Sequence, residues 1–160
     1  MNDLLKNEPV KRVERALNLF NKNIKIQVLE NTAKTALDAS KSLKCEIGAI
    51  VKSLVLRKDN TFFLCLISGD KRCSLNKLKK INDVKDLSMA NAIKVKEITG
   101  FTIGGVSPIG SINTLETFID QNLKRFKNLY AAAGHPNTIF RINFNDLQNL
   151  TTGKIMDITE

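Results

Sequence analysis

The feature that most constrains this chain is an apolar run from Gly48 to Leu56 with Lys52 at its centre. If the run is a β-strand, Lys52 shares one face with isoleucine and leucine, while alanine and valine dominate the other face. Apolar residues on both faces indicate a central strand that is covered on both sides. A lysine is almost never fully buried without a partner, because removing an ammonium from water is expensive. Lys52 therefore needs either a partner or a functional role.

The length of 160 residues suits one domain, so we expect a single domain over residues 1–160 that begins with an N-terminal helix within residues 1–22. Roughly 70% of the unfolded surface of such a chain can be buried, so the core needs no metal or disulfide. Three isolated cysteines and one histidine do not form a zinc-binding pattern, and we predict no metal and no cofactor. Cys65 lies in an apolar run and is interpreted as a small buried residue.

The sequence shows neither an export signal nor a membrane span. The N-terminus lacks the apolar segment of a secretory signal, and no apolar run approaches the roughly 18 residues that cross a bilayer. We therefore expect a soluble, cytoplasmic protein that has no membrane partner.

The net charge of +9, from 25 basic and 16 acidic residues, indicates a polyanionic partner. Most of the excess comes from residues 71–96, where eight basic side chains are balanced only by Asp83 and Asp86. Clustered basic charge is typical of a surface that binds nucleic acid. The alternative is a solvated lysine-rich face in a chain whose composition favours lysine, asparagine and isoleucine.

The periodicity of the remaining sequence predicts a mixture of helices and strands. The predicted helices are Glu8–Asn21, a helix capped by Asn31 or Thr32 that ends at Leu43, one from Ser74 to Lys80, part of Ala90–Thr99 closed by Gly100, and Asp146–Leu150. The predicted strands are Ile24–Leu29, Ile47–Arg57, Phe62–Ser68, Leu115–Ile119, Asn128–Ala132, Thr138–Ile142 and Lys154–Ile158. Hairpin and crossover connections together indicate an α+β fold around a mixed, partly barrel-like β-sheet flanked by several helices.

Two loops rich in small residues are candidate ligand sites. The first, Gly104–Gly110, has three glycines and one proline in seven residues, and glycine lets a ligand approach backbone N–H groups closely. The second contains His135, which is either an ordinary loop residue or a general acid–base group. The chain has neither a nucleotide-binding fingerprint nor a serine-hydrolase elbow. An enzyme with this sequence would therefore work by positioning and electrostatics.

Several motifs, in one consistent order, resemble the YbaK/EbsC family of aminoacyl-tRNA editing proteins. That family is related to the editing insertion domain of bacterial prolyl-tRNA synthetases. The similarity runs from about Ile24 to the C-terminus, and the lysine strand Ile50–Val55 is its most distinctive part. The other matching segments are Thr35–Ala36 with Ala39, Ser68–Asp70, Thr99–Phe101, Gly104–Gly110, Ile119–Asp120 with Leu123, and Ala132–Gly134.

The resemblance implies an active site with three parts. The essential lysine of the family maps onto Lys52, its glycine loop onto Gly104–Gly110, and its second pocket loop onto Ala133–His135. We accordingly expect catalytic roles for Lys52, Gly105 and His135. The expected substrate-binding residues are Ser53, Gly104, Val106, Ser107, Pro108, Gly110 and Gly134, and the expected tRNA-binding residues are Lys71, Arg72, Lys77, Lys79 and Lys80.

The activity that the resemblance implies is hydrolysis, in trans, of the ester that joins a wrong amino acid to tRNA. A partly buried ammonium can pair with phosphate or with developing negative charge, and the glycine loop can orient the ester. Water activated by the ribose hydroxyl of the substrate would attack, or a cysteine substrate would use its own thiol. A compact pocket favours a small amino acid, either of the Ala/Ser/Thr type, which we prefer, or cysteine, on prolyl or another tRNA.

The partners implied by the resemblance are the aminoacylated 3′ end of tRNA and an aminoacyl-tRNA synthetase. Two other classes of function stay open at this point. One is a non-catalytic module that holds tRNA or a synthetase, and the other is a small-nucleotide binder. For Lys52 itself, the alternative is a lysine at the mouth of a barrel, with its stem packed and its amine in water.

Overall fold

The computed structural model describes residues 2–31 and 33–160. Within these residues, none of the helices is long and apolar enough to cross a membrane. The α-helices are α1 (Glu8–Phe20), α2 (Ala36–Leu43), α3 (Leu75–Asn82), α4 (Ala92–Thr99) and α5 (Phe144–Thr151). The strands are β1 (Ile26–Val28), β2 (Val51–Lys58), β3 (Thr61–Ser68), β4 (Leu87–Met89), β5 (Glu116–Asp120), β6 (Leu129–Ala132), β7 (Thr138–Ile142) and β8 (Lys154–Met156). Short 3₁₀-helices span Asn2–Lys6, Ile47–Ala49 and Gln121–Arg125.

The strands form two sheets that meet beside β2. The larger sheet has the order β4-β2-β3-β5-β8, in which β2 pairs antiparallel with β3 and β4, while β5 is parallel to β3 and β8. The smaller antiparallel sheet has the order β1-β7-β6. A parallel bridge between Ile50 and Tyr130 connects the two sheets. This arrangement confirms the predicted α+β fold with a mixed sheet.

The central strand β2 is covered on both faces, as the alternation of its residues predicted. Val51 and Val55 are buried in the larger hydrophobic cluster, which α1, β6 and β7 complete. Leu56 lies on the other face and packs in a second cluster with Phe63 and Cys65. Cys65 is 0% exposed, which confirms its interpretation as a buried residue.

Local capping signals explain where several helices begin and end. The Ser74 hydroxyl accepts the Lys77 N–H at 3.2 Å and starts α3, as predicted. Gly100 ends α4 with a positive φ of 77°, and its N–H donates to the Lys96 carbonyl. The predicted caps of α2 were wrong in one respect, because Thr35, whose hydroxyl accepts the Asp38 N–H, is the observed cap rather than Asn31. The other predicted cap, Thr32, lies outside the described residues.

Several predicted elements have different boundaries in the structure, and one observed strand was not predicted. The strand predicted from Ile47 begins only at Val51, because residues Ile47–Ala49 form a 3₁₀ turn in which the Ile50 N–H donates to the Ile47 carbonyl. The helix near the C-terminus is longer than predicted, since the Asn143 side chain caps it through the Asp146 N–H. Strand β4 was not predicted, because its three residues are too few to show an alternating pattern.

Helix α1 packs against the glycine loop at Gly110. Its buried stripe consists of Val10, Val13 and Leu17, each 0% exposed. On the same helix, the Arg12 guanidinium donates to the carbonyls of Gly110 at 2.9 Å and Thr99 at 3.3 Å. The N-terminal helix is therefore part of the frame that holds the loop following α4.

Candidate functional site

A cavity of about 260 Å³ opens beside β2. Strand β4 pairs only with the last residues of β2, from Leu56 to Lys58, so the preceding part of that edge has no β4 partner. The start of α2, the glycine loop and β6 enclose the space beside it. We call this space the β2-edge cavity; its wall is mostly small and aliphatic and includes Ala36, Ala39, Ser53, Gly104, Val106 and Ala131.

Lys52 lies at this cavity and has a neutral hydrogen-bond partner. Its Nζ donates to the backbone carbonyl of Lys71 at 2.6 Å, across the end of β3. The ion pairs found among the described residues do not include Lys52. A carbonyl can orient an ammonium but does not cancel its charge. The position predicted to need a partner therefore has one that leaves the positive charge available.

The surroundings of Lys52 lower the pKa of its ammonium. Burial is the largest cause, and the nearby carboxylate of Asp70 acts in the opposite direction by stabilising the charged form. Asp70 is itself bound to the guanidinium of Arg125 at 2.7 Å, and this hydrogen bond lowers the pKa of the Asp70 carboxyl. Lys52 is thus a partly buried cation with a lowered pKa and a neutral hydrogen-bond partner. Groups with shifted pKa values are common at functional sites.

Ser53 contributes a hydroxyl to the β2-edge cavity. It follows Lys52 on β2 and faces the same side as Val51 and Val55. Its Oγ is buried and finds no hydrogen-bond partner among the described residues. A buried hydroxyl without a partner costs free energy, so the group is suited to contact a polar atom of a bound ligand.

Replacing Ser53 with alanine should not destabilise the fold. The substitution removes an unpaired buried oxygen, and we expect the free energy of unfolding to stay the same or to increase by about 1 kcal/mol. If the hydroxyl contacts substrate, KM should rise in the same variant. Chemical denaturation and steady-state kinetics of the ester hydrolysis that the resemblance implies measure the two effects, with Ser88→Ala on β4 as a control whose hydroxyl accepts a bond from Arg57. Destabilisation of the Ser53 variant by more than the control would contradict this interpretation.

The structure divides the glycine loop between two cavities. Gly104 and Val106 line the β2-edge cavity together with Lys52 and Ser53. A second cavity of about 330 Å³ lies between α1 and α5. It is lined by three residues that were also predicted to bind substrate, Ser107, Pro108 and Gly110. The loop crosses the core between Val106 and Ile109, both largely buried, so its two halves emerge on different sides.

Gly105, Gly134 and His135 lie where the two loops touch, and they line neither cavity. A Cβ on Gly105 would be 2.9 Å from the backbone N and Cα of His135. The Gly105 N–H donates to the Thr102 carbonyl at 3.0 Å, so it is already used within its own turn. The imidazole Nδ1 of His135 accepts the Asn137 N–H at 3.0 Å. The two hydrogen bonds stabilise each loop internally, and Gly105 lets the two backbones approach closely.

The predicted tRNA-binding residues are spread along α3: Lys71 and Arg72 precede the helix, beside the carbonyl that binds Lys52, while Lys79 and Lys80 lie in its last turn. Arg72 and Lys80 are exposed. Lys77 is less available, because its Nζ donates to Asp157 at 2.8 Å and to the Thr159 carbonyl. The residues that remain, Lys71 and Lys79, are half-buried.

Sequence reasoning missed several features of the site. The pairing of Asp70 with Arg125 joins residues 55 positions apart, so no local pattern indicates it. Tyr130 was recognised only as part of a strand, although it lines the β2-edge cavity. As for metals, no group of three or more His, Cys, Asp or Glu side chains within residues 2–31 and 33–160 is arranged to bind one.

Comparison with known proteins shows similarity to editing domains. The proline–tRNA ligase of Caldicellulosiruptor saccharolyticus is 27% identical over 132 residues, which cover 82% of this chain and 22% of the ligase. The candidate Cys-tRNA(Pro)/Cys-tRNA(Cys) deacylase EbsC of Enterococcus faecalis is 27% identical over 126 residues, which cover 78% of this chain and 77% of that protein. The crystal structure of a candidate trans-editing enzyme for prolyl tRNA synthetase has a TM-score of 0.90 and 33% identity, covering 96% of this chain and 98% of that chain.

The matches cover a small part of the proline–tRNA ligase but most of the candidate deacylase and of the candidate trans-editing enzyme. The chain spans less than a quarter of the length of the proline–tRNA ligase that it matches. The family model of the aminoacyl-tRNA editing domain matches residues 30–150, which include Lys52, the glycine loop and the His135 loop. The resemblance noted in the sequence is therefore confirmed, and the chain belongs to the aminoacyl-tRNA editing domain family.

Proposed function

We propose that this chain is a trans-acting deacylase that hydrolyses the ester between a small amino acid and a mischarged tRNA. The observation that carries the proposal is the Lys52 ammonium, which lies at the β2-edge cavity with a neutral carbonyl as its hydrogen-bond partner. Similarity to a candidate tRNA deacylase and to a candidate trans-editing enzyme supports the same activity. In the second case the similarity extends over 98% of that chain, which favours action in trans.

The 3′ end of an aminoacyl-tRNA gives Lys52 two negative targets, the terminal phosphate and the ester oxygen that becomes an oxyanion. In the reaction, water attacks the ester carbonyl carbon and the bond from that carbon to the ribose oxygen breaks. One proton of the water goes to the ribose oxygen, the other is released to solvent, and the amino acid leaves as its carboxylate. A half-buried ammonium stabilises the developing charge more strongly than one in bulk water. We assign the oxyanion contact to Lys52, because the Gly105 N–H is already bonded to Thr102.

The dimensions of the β2-edge cavity favour a small amino acid. Its volume of about 260 Å³ must hold an aminoacyl group and part of the ribose. Ala36, Ala39 and Gly104 bring the backbones of α2 and the glycine loop close to this space, so a larger side chain would have to displace those elements. Alanine, serine, threonine and cysteine are therefore the candidate substrates, and the unpaired Ser53 hydroxyl favours one with a polar group within reach.

The body of the tRNA would contact the basic surface around α3. Arg72 and Lys80 are exposed there, and the Lys71 carbonyl on the same surface holds Lys52. Phosphate contacts on this surface would hold the tRNA backbone while the 3′ end enters the cavity. We place this activity in the cytoplasm, where tRNA is charged, and propose a proline–tRNA synthetase as the source of the mischarged substrate.

Replacing Arg72 and Lys80 with alanine should weaken tRNA binding without changing substrate preference. Each lost phosphate contact should reduce the slope of log K against log salt by about 1. Fluorescence anisotropy at several salt concentrations measures the slope, and Lys11→Ala on the exposed face of α1 is the control. A slope equal to that of the wild type would show that this surface does not bind tRNA.

The function is tested by a deacylation panel. tRNAs charged with alanine, serine, threonine, cysteine and proline are incubated with the wild type and with Lys52→Ala, and release of the amino acid is measured. We expect turnover of at least one small amino acid by the wild type, no release of proline from its own tRNA, and no turnover by the variant. Absence of turnover on every member of the panel would reject the proposal. A non-catalytic module, the second candidate, would bind charged tRNA equally well with or without Lys52.

A further inference from the structure

A bidentate ion pair closes the turn that holds Lys52. Asp70 accepts two bonds from the guanidinium of Arg125, at 2.7 Å from Nη2 and 3.0 Å from Nη1. Asp70 belongs to the turn after β3, in which the Lys71 N–H donates to the Ser68 carbonyl at 3.0 Å. The next carbonyl along the chain, that of Lys71, accepts the bond from Lys52 Nζ. The ion pair and the Lys52 contact are thus one residue apart on the same turn.

Arg125 is itself held in place by two further contacts. Its Nε donates to the Asn122 carbonyl at 2.8 Å within the 3₁₀-helix that follows β5. The guanidinium lies over the Phe126 ring, 4.8 Å from the ring centre. A guanidinium fixed at three points presents its fork in one orientation, which suits it to set the position of a carboxylate.

The turn after β3, which carries Asp70, packs against the chain segment that leads into β2. A Cβ on Gly48 would lie 2.6 Å from the Phe126 ring and 3.0 Å from the Asp70 carboxyl carbon. The Gly69 N–H donates to the Ile50 carbonyl at 2.7 Å. Asp70 therefore contacts the segment entering β2 as well as Arg125, so its position is coupled to that of the strand that carries Lys52.

We propose that Asp70 and Arg125 are positioning residues for the deacylation reaction, because they fix the turn whose Lys71 carbonyl orients the Lys52 ammonium. The proposal rests on the deacylase function proposed above. Asp70 and Arg125 keep about a third of their side-chain surface exposed, 32% and 38% respectively, and exposed ion pairs contribute little to stability. Their role is therefore to hold a catalytic group rather than to hold the fold.

The charge of Asp70 also acts on the protonation of Lys52. Burial lowers the pKa of Lys52 most, the carboxylate of Asp70 and the thiol of Cys73 raise it, and the guanidinium of Arg72 lowers it. Asp70→Asn removes one of the two groups that favour the ammonium, so the pKa of Lys52 should fall further. Activity that needs the ammonium is lost as pH rises through this pKa. The basic limb of the pH profile should therefore move to lower pH in Asp70→Asn.

The chain provides a matched control on the same strand as Lys52. Arg57, near the other end of β2, makes a bidentate pair with Asp86 at 2.7 and 2.9 Å, and its side chain is 32% exposed. This pair has the same chemistry as the pair of Asp70 with Arg125, but it lies beyond the β2-edge cavity. If the pair of Asp70 with Arg125 were only a surface ion pair, removing it would change kcat as little as removing the pair of Arg57 with Asp86.

The test compares Arg125→Ala, Arg125→Lys and Asp70→Asn with Arg57→Ala and Asp86→Asn. We expect kcat to fall roughly 10-fold in Arg125→Ala with a smaller change in KM, and by less in Arg125→Lys, which keeps the charge but loses the fork. The two control variants should keep the wild-type kcat and pH profile. Equal losses in both sets of variants, or no loss in either, would overturn the proposal.

A second measurement keeps the proposal separate from the deacylase function. NMR titration of the Lys52 Nζ signal, assigned by its absence in Lys52→Ala, reports the pKa without any substrate. We expect a lower pKa in Asp70→Asn than in the wild type, and the wild-type value in Asp86→Asn. If the wild type deacylates nothing, the proposed function fails, whereas an unchanged Lys52 pKa in Asp70→Asn shows that Asp70 does not act on Lys52 and overturns the positioning role even in an active enzyme.

Discussion

Lys52→Ala should abolish deacylation while the protein stays folded. The substitution removes the cation that we place against the developing oxyanion, and loss of one such electrostatic contact typically lowers kcat by about 100-fold or more. The Lys71 carbonyl cannot substitute for it, because a carbonyl accepts hydrogen bonds and would repel an oxyanion. Single-turnover deacylation of the preferred substrate at saturating enzyme separates this loss of chemistry from any loss of binding.

The stability of the same variant is the second part of the prediction. Alanine at position 52 removes one hydrogen bond to the Lys71 carbonyl but also removes an ammonium whose pKa is lowered mainly by burial. These effects oppose each other, so we expect the free energy of unfolding to stay within about 1 kcal/mol of the wild-type value. Lys154→Ala, which removes an exposed lysine paired with Glu116, is the matched control and should keep full activity. If the Lys52 variant unfolded, its loss of activity would reflect the loss of the fold, which would contradict the predicted stability. Full activity in a folded variant would contradict the mechanism.

The parts of the fold that the sequence predicted correctly are those determined by local patterns. The strand that ends at Ser68 is continuously apolar from Phe62 to Ile67, so its position follows from the hydrophobic residues alone. Ser74 and Gly100 satisfy backbone groups at the ends of neighbouring helices, and that chemistry is visible in the residue type. Thr35 gives an equally local signal, with Asp38 three residues later, and could have been chosen over Asn31.

The parts that could not be predicted depend on contacts between distant segments. Nothing near Gly48 in the sequence shows that Phe126 and Asp70 close over it, and this packing accompanies the 3₁₀ turn that delays the start of β2. The division of the glycine loop has the same kind of origin, since Gly110 packs against the backbone of Val13 on α1. Residue type suggested a ligand loop, but only the path of the chain shows that Gly104 and Gly110 face different cavities.

Gly105→Ala should reduce both stability and activity, because two loops approach each other at this glycine. A Cβ would lie 2.9 Å from the backbone N and Cα of His135 and 3.1 Å from the carbonyl carbon of Gly134. The His135 loop cannot easily retreat, since the carbonyls of Pro136 and Asn137 accept bonds from Ala33 and Leu29 at 2.9 and 2.7 Å. Overpacking of this kind typically costs about 1–3 kcal/mol.

The effect on activity should exceed the effect on stability. Pushing the loops apart moves Gly104 and Val106, which line the β2-edge cavity, and a displacement of about 1 Å at an active site can lower the rate roughly 100-fold. Gly153→Ala is the control, because its Cβ would meet the buried Ile119 side chain at 2.6 Å and neither residue lines the β2-edge cavity. Urea denaturation and deacylation of the preferred substrate are measured for both variants. We expect both to be destabilised but only Gly105→Ala to lose kcat; equal kcat in the two would show that the contact between the loops does not shape the site.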